Sequence, residues 1–304
     1  MPRSARTILG TLKLPETDAH DLPDSRKRFS DGGQYRIEIP SVEGPRAMEA
    51  VLSAADEHEV ALHRVSQGSG IMLQTDREIE RMVELGRQRG VEVCLFVGPR
   101  ANWDTGVQAA SSGGRVIGCS LRGTDQLVYG IEDVLHANRL GIKSVLVADV
   151  GQLMVLGRMK TAGDLPPDFV LKISVTLAAA NPATARVLED LGATSINLPV
   201  DLSLAQIAAI RRAVDAAIDF YVESPDDLGG VVRHYEIPEL VRVAAPIYLK
   251  FGVRNSPGLY PSGYHLEATI LALSRERVRR AAIGLGLLRR YAPHAVASPT
   301  GVSV

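Results

Sequence analysis

Charged side chains interrupt several apolar runs of this sequence, where a buried parallel strand would normally carry valine, isoleucine or leucine. A buried charge without a partner is costly, so such residues are expected to pair with one another or to form a polar pocket. Five of them are our candidate catalytic residues: Glu38, His63, Lys172, Glu223 and Lys250.

Other polar side chains in these runs, or just after them, are candidate substrate-binding residues: Arg36, Arg64, Asp149, Asn197, Arg254 and Asn255. The last two belong to a glycine-rich turn at 252–258, whose amides could cradle a phosphate or a carboxylate. The alternative is that glycine only allows the chain to turn there.

Two chemistries suit these residues. The first is acid–base catalysis on a small anion, with a divalent metal as an optional cofactor held by Glu38, Asp149, Glu223 and a histidine. The second is a Schiff base between a carbonyl substrate and Lys172 or Lys250. The sequence contains no GxxxxGK[ST], HExxH, GxSxG or CxxC motif, so the reaction and the cofactor stay open.

Eight short runs rich in β-branched residues predict buried strands that would position these side chains. They cover 35–40, 60–66, 91–97, 144–149, 169–176, 194–199, 218–224 and 246–253. Helix start signals lie between them, namely capping boxes at Thr75 and Ser203 and an N-cap at Asn181 before Pro182. Glycines that end helices directly before a strand are Gly90, Gly141 and Gly192.

This alternation predicts an α/β fold, a (β/α)8 TIM barrel over 34–294, with the site at the carboxyl ends of the strands. Residues 1–33 are predicted to be an N-terminal arm and 295–304 a tail. An insert at 98–130, with a strand-like run at 115–121 and Trp103, would extend the third βα loop as a hairpin or lid. The rival interpretation is a nine-stranded open sheet.

Composition excludes several functional classes. The formal net charge of -1 argues against a nucleic-acid or membrane-surface binder, so a small molecule is the expected partner. No apolar run reaches the roughly 18 residues of a membrane helix, and the first residues lack the apolar stretch of a signal peptide. The two cysteines suit a reducing compartment, which predicts a cytoplasmic protein.

The segment from residue 141 to 223 contains GIKSVLVADVGQLMVLGRM and LKISVTLAAANPATARVLEDLGATSINLPVDLSLAQIAAIR. It resembles the collagenase-like peptidase U32 family in its strand ending in aspartate, its helix that starts at Asn181 and its Leu-Gly-Ala turn. This resemblance implies a TIM barrel. It leaves open a hydrolase that uses a metal-activated water.

The sequence also departs from that family. Glu223 and Ser224 stand where the family carries a His-Gly pair. Family members commonly hold an iron–sulfur cluster on a cysteine set, whereas this chain has two cysteines, so no four-cysteine cluster is expected from one chain. We interpret the chain as a divergent member.

Three functional hypotheses follow. The leading one is a small-molecule enzyme of lyase or isomerase type, using acid–base chemistry on an anionic, oxygen-rich substrate. The others are a U32-like hydrolase and a non-catalytic barrel subunit of a complex.

The last helical stretch predicts a homo-oligomer, most simply a dimer. Its apolar positions surround more of the helix than one barrel-facing stripe requires, and Gly284 and Gly286 would allow a close approach. The alternative is that the N-terminal arm, with Ile8, Leu9, Leu12 and Leu14, covers this surface.

Overall fold

The structure is a computed structural model that describes residues 4, 6–7, 11, 21–104, 106–112, 114 and 117–301. Its strands, in chain order, are β1 (Tyr35–Pro40), β2 (Arg64–Ser66), β3 (Glu92–Phe96), β4 (Ser144–Val147), β5 (Val170–Ile173), β6 (Ser195–Asn197), β7 (Ala217–Glu223) and β8 (Ile247–Phe251). Each strand falls inside a run that the sequence predicted, except that β7 begins one residue earlier, and several runs are longer than their strands.

Helices alternate with these strands. They are α1 (Pro45–Glu57), α2 (Asp76–Arg89), α3 (Gly123–Arg139), α4 (Val150–Ala162), α5 (Pro182–Asp190), α6 (Leu204–Ala213), α7 (Ile237–Ala244) and α8 (Glu267–Tyr291). No helix in the described part of the chain is long and apolar enough to cross a membrane.

The eight strands are parallel and close into a barrel in chain order, with β8 pairing back onto β1. The predicted (β/α)8 TIM barrel is therefore confirmed, and the nine-stranded open sheet is wrong. Apolar side chains fill the layer between strands and helices, as Ile37, Leu171 and Leu249 illustrate with no exposed surface.

Local signals explain why the helices begin and end where they do. Thr75 and Ser203 each form the predicted capping box, and Asn181 accepts a hydrogen bond from the amide of Thr184. Gly90 ends α2 at a positive φ of 60°, which glycine adopts without the Cβ penalty of other residues.

The third βα loop differs from the expectation. It ends at residue 122, because α3 already begins at Gly123 rather than after Gly130. Its described residues form short 3-10 turns at Ala101–Trp103 and Val107–Ala110, and the expected strand at 115–121 is absent from 117–121. The amides of Ile117 and Ser120 bond to carbonyls three residues earlier, so local turns satisfy the backbone that a strand would pair.

The amino-terminal end of the barrel is closed by the chain's own ends. Ala297 forms a parallel bridge with Tyr35, and the amide of Ser298 donates to the carbonyl of Tyr35 at 3.0 Å. Phe29 packs edge-on against Tyr248, with ring centroids 5.2 Å apart. This leaves the carboxyl-terminal end as the open end for a site.

The apolar residues of the predicted N-terminal arm, at 8, 9, 12 and 14, lie outside the described residues.

Gly284 and Gly286 provide a matched test of the packing of α8. A Cβ at Gly284 would lie 2.7 Å from Cε1 of Phe251 and 2.8 Å from Cδ1 of Ile237, whereas Gly286 has no atom within 4 Å of that position. We expect Gly284→Ala to lower the free energy of unfolding by about 1–3 kcal/mol through overpacking. Gly286→Ala should raise it by up to about 1 kcal/mol, the usual gain of alanine over glycine in a helix.

Urea unfolding followed by circular dichroism measures both changes. A stabilised Gly284→Ala protein would show that α8 does not pack on β8 as described.

Candidate functional site

The centre of the barrel is ionic. Alternate residues of each strand face the axis, and in most TIM barrels these positions carry branched aliphatic side chains. Here three cations and three carboxylates meet in the middle, all with 8% or less of their surface exposed: Arg64, Lys172, Lys250, Glu38, Glu92 and Asp219. Their formal charges cancel.

Arg64 is the most heavily bonded cation of this group. Its Nε donates to Glu92 at 2.7 Å, and its Nη1 donates to Asp219 at 2.8 Å and to Glu38 at 3.3 Å. The guanidinium lies 3.6 Å from the ring centroid of Tyr248. One side chain thus links strands β1, β2, β3, β7 and β8.

Glu38 is the most heavily bonded carboxylate. Lys172 Nζ contacts both of its oxygens, Ser66 Oγ donates at 2.5 Å, and Lys250 Nζ lies 3.4 Å away. Burial alone would raise the pKa of Glu38, but the charges of Lys172, Lys250 and Arg64 outweigh it and hold that pKa well below its usual range. Glu38 is therefore a fixed anion.

Asp219 behaves differently. Burial raises its pKa, and the neighbouring charge of Glu38 adds to this, despite the cations Lys172 and Arg64. Its partners are Arg64, the hydroxyl of Ser195 and, at 3.8 Å, Lys172.

Lys250 and Asn197 form the upper end of the ionic group. With its amide oriented to satisfy both neighbours, Asn197 accepts from Lys250 Nζ at 2.8 Å and donates to the carbonyl of Asp219 at 3.2 Å. Lys250 Nζ also lies 4.1 Å from the ring centroid of Tyr221. The predicted residues Glu38, Arg64, Lys172, Asn197 and Lys250 are thus brought together.

Glu223 does not join them. A β-bulge sets Tyr221 opposite Lys250 but Glu223 opposite Phe251, so that the alternation along β7 breaks and Glu223 turns outward. It accepts from the amide of Arg254 at 2.9 Å and contacts His234 at 3.1 Å and Arg280 of α8 at 3.5 Å. The sequence predicted that Glu223 would pair or share a pocket with the other charged strand residues, and for Glu223 this prediction is wrong because of the bulge.

His63 and Arg36 lie at the closed end of the barrel. His63 Nε2 bonds to the carbonyl of Ser298 at 2.9 Å, and its Nδ1 accepts from the amide of Ile37 at 3.0 Å. Burial lowers the pKa of His63. Arg36 binds Asp31, Tyr248 and Ser298. Both side chains hold the chain ends in place, far from the open mouth.

The remaining predicted ligands are also dispersed. Asp149 is the N-cap of α4 and accepts from the amides of Gln152 and Leu121. Arg254 has 60% of its side chain exposed, and Asn255 donates its amide to Asp226. The proposed metal set of Glu38, Asp149, Glu223 and a histidine does not converge. No group of three or more such residues could hold a metal among the described residues.

Sequence reasoning missed two members of the ionic group, Glu92 and Asp219. Both interrupt apolar strands, in VEVCLF and AIDFYVE, so the signal that selected Lys172 and Lys250 would have found them. It also missed Glu43, for which a loop position after β1 offers no comparable signal.

Glu43 lines a cleft of about 280 Å³ between the first, second and eighth βα loops, at the open end of the barrel. Its two oxygens accept from the amides of Gly68 at 2.7 Å and Ser69 at 3.1 Å. Burial raises the pKa of Glu43, although these hydrogen bonds and the charge of Arg277 lower it. A carboxyl with a raised pKa that lines a cleft is suited to take up and release protons.

Removing one cation from the barrel centre tests the ionic group. Lys172→Met leaves Glu38 and Asp219 short of a positive charge in a dry interior, and we expect a loss of about 3–5 kcal/mol in the free energy of unfolding. The control is Lys143→Met, which removes an exposed pair with Asp168 and should change stability by no more than about 1 kcal/mol. Denaturant unfolding measures both.

A double variant, Lys172→Met with Glu38→Gln, should lose less than the sum of its single variants, because it removes both charges of a contact. If Lys172→Met and Lys143→Met lowered the free energy of unfolding by the same small amount, the central charges would have to be solvated.

Comparison with solved structures gives distant likenesses. The U32 peptidase Mk0906 is 16% identical with a TM-score of 0.42, covering 79% of this chain and 99% of its own. A putative lyase/mutase from Burkholderia cenocepacia is 15% identical, with a TM-score of 0.45 over 86% of this chain and 85% of its own. Oxaloacetate acetylhydrolase is 13% identical, with a TM-score of 0.46 over 88% of this chain and 86% of its own.

No curated protein sequence matches the chain. Residues 121–224, from the end of the third βα loop to just beyond β7, match the model of peptidase family U32. This segment contains the stretch whose resemblance to that family was visible in the sequence. The match confirms that resemblance over residues 121–224.

Proposed function

We propose that the protein is a small-molecule enzyme that performs acid–base chemistry of lyase or isomerase type at the open end of the barrel. The observation that carries this proposal is Glu43, a carboxyl with a raised pKa that lines a cleft between three βα loops. Buried cations near the same end, Lys250 below the mouth and Arg277 beside Glu43, support an anionic, oxygen-rich substrate.

Glu43 suits proton transfer better than Glu38. Glu38 has no exposed surface and is saturated by Lys172, Lys250, Arg64 and Ser66, so it has neither a path to a substrate nor a reason to change charge. In this proposal the neutral central group supports the site from below, with Lys250 as its uppermost cation. Glu43 is the residue that would touch the substrate.

The proposed chemistry balances within the substrate and one carboxyl. Ionised Glu43 would remove a proton from a carbon next to a carbonyl. The electron pair of that carbon–hydrogen bond would form a carbon–carbon double bond, and the π pair of the carbonyl would move onto its oxygen. Nearby cations would stabilise this oxyanion. Return of the proton at a different atom gives an isomerisation, whereas departure of a leaving group gives an elimination.

A Schiff base is less well supported. Lys172 is in contact with both oxygens of Glu38, and Lys250 is shared between Glu38, Asn197 and the ring of Tyr221. A nucleophilic amine needs a free lone pair directed at the substrate, and both amino groups are directed at protein atoms instead.

A U32-like hydrolase is the second candidate, favoured by the family match over residues 121–224. The two functions differ in what they do to a carbon–hydrogen bond, because hydrolysis leaves that bond unbroken. A non-catalytic barrel subunit would neither exchange carbon-bound hydrogen nor hydrolyse a substrate.

Exchange of carbon-bound hydrogen with D2O tests the leading proposal without knowledge of the product. The wild-type protein, incubated with a panel of small 2-oxo and 2-hydroxy carboxylates and their phosphate esters, should deuterate at least one of them, as seen by proton NMR. Glu43→Gln should slow this exchange about 100- to 10,000-fold, the usual contribution of a general base. Glu84→Gln, which alters an exposed pair with Arg81, is the matched control.

The pH dependence of the exchange rate should follow the ionisation of Glu43. Because the ionised form of Glu43 is the base, the exchange rate should fall as the pH drops through a pKa above the ordinary glutamate value, and Glu43→Gln should lose this dependence. Absence of exchange with the whole panel, or equal rates for Glu43→Gln and the wild type, would contradict the proposal.

We further propose the homo-oligomer, most simply a dimer, on the strength of an exposed apolar surface on and beside α8. Leu285 and Leu288 pack inward, whereas Ile283 is 43% exposed and Tyr235 and Tyr291 are 75% and 55% exposed. Light scattering at micromolar concentration should give about twice the chain mass of 32.7 kDa. A monomer mass would contradict this and favour cover by the N-terminal arm.

A further inference from the structure

Two arginines at the open end of the barrel are buried without a carboxylate partner. Arg100 is 5% exposed and Arg277 is 3% exposed. Neither forms an ion pair with any described residue, and the Nε atom of each is buried without a hydrogen-bond partner. Arg64, which is just as buried, is paired with three carboxylates in the same barrel. Arg64 shows that this barrel can neutralise a buried guanidinium with carboxylates, which it does not do for Arg100 and Arg277.

Arg100 is held flat at the start of the third βα loop. Its guanidinium lies between two aromatic rings, 3.5 Å from the centroid of Phe96 and 4.0 Å from that of Trp103. One Nη atom donates to the carbonyl of Gly68. These contacts fix the plane and position of the charge but do not neutralise it.

Arg277 reaches the same region from α8. Its Nη1 donates to the carbonyl of Ser41 at 3.2 Å, in the loop that follows β1. Burial lowers the pKa of Arg277, with only partial compensation from the charge of Glu43 and the hydroxyls of Tyr260 and Tyr221.

Tyr260 joins the two arginines. Its hydroxyl bonds to Ser41 Oγ at 2.5 Å, and its ring packs so closely on Gly68 that a Cβ there would lie 2.4 Å from the ring. The carbonyls of these same two residues, Ser41 and Gly68, accept from Arg277 and Arg100 respectively. Tyr260 is 40% exposed, so its ring lies between the buried arginines and the solvent.

Glu43 lies within this arrangement. It accepts from the amides of Gly68 and Ser69, and its charge acts on both arginines and on Tyr260. The side chain of Ser69 accepts from the amide of Ser262, which ties the eighth βα loop to the same point. The proton-transfer group and the two unpaired cations therefore share one end of the barrel and one set of loops.

We propose that Arg100 and Arg277 bind an oxyanion group of the substrate, a carboxylate or a phosphate, on the Tyr260 side of Glu43. This rests on the proposed function and assigns the substrate class and the residues that recognise it. A guanidinium presents several N–H donors in a plane, which matches the oxygens of either group. The bound anion would supply the negative charge that the protein omits.

The test uses inorganic phosphate and malonate as separate probes, with binding followed by calorimetry and by the shift in melting temperature. The wild-type protein should bind at least one probe and melt at a higher temperature in its presence. Arg277→Met and Arg100→Met should each weaken that binding at least 10-fold. Arg279→Met is the control, because Arg279 lies two residues away on α8, is 54% exposed and pairs with Glu276.

A second readout separates binding residues from structural ones. Without a probe, Arg277→Met should melt at the same or a higher temperature than the wild type, because it removes a buried charge that lacks a partner. A structural arginine would instead lower the melting temperature on removal. The choice between probes distinguishes a carboxylate from a phosphate site.

No binding of either probe by the wild type, or unchanged binding by both methionine variants, would overturn the assignment. Failure of this inference is distinguishable from failure of the proposed function. Deuterium exchange that depends on Glu43 would persist if only the oxyanion site were wrong, whereas probe binding without any exchange would leave an anion-binding barrel of different activity.

Discussion

The structure depends on charge balance in a dry barrel centre. Arg64, Lys172 and Lys250 occupy axis positions that aliphatic side chains would normally fill, and each is tolerated because Glu38, Glu92 and Asp219 lie within contact distance. Substituting a single member of this group destabilises the fold, because it leaves the opposite charge buried and unpaired. Through Arg64 and Glu38 it also fixes six strands to one another, namely β1, β2, β3, β5, β7 and β8, which gives the loops at the open end a rigid base.

The bulge in β7 belongs to the same constraint. Strict alternation would direct Asp219, Tyr221 and Glu223 all toward the axis, and a fourth carboxylate would then face three cations. By setting two residues of β7 against one of β8, the bulge removes Glu223 from the interior and places it beside His234 and Arg280. The interior remains neutral, and Glu223 holds the eighth βα loop through the amide of Arg254.

The fold could be predicted almost entirely from the sequence, because its signals are local: β-branched runs, capping boxes at Thr75 and Ser203, and glycines after the helices. The site could be predicted only in part. Which side chains share a level of the barrel depends on register and shear, so the sequence could not separate His63 and Arg36 at the closed end from Lys172 and Lys250. The bulge that redirects Glu223 arises from pairing between distant strands. The environment of Glu43 depends on hydrogen bonds from the backbone amides of another loop, and no spacing in the sequence predicts those contacts.

Paired and unpaired charges divide the barrel along its axis. At the centre every cation has a carboxylate, and the charges of Lys172, Lys250 and Arg64 hold the pKa of Glu38 well below its usual range. At the open end, Arg100 has a carbonyl and two aromatic rings as partners, Arg277 has a carbonyl, and burial raises the pKa of Glu43. We interpret the change from balanced charge at the centre to unpaired arginines at the mouth as the boundary between the part of the interior that supports the barrel and the proposed ligand site.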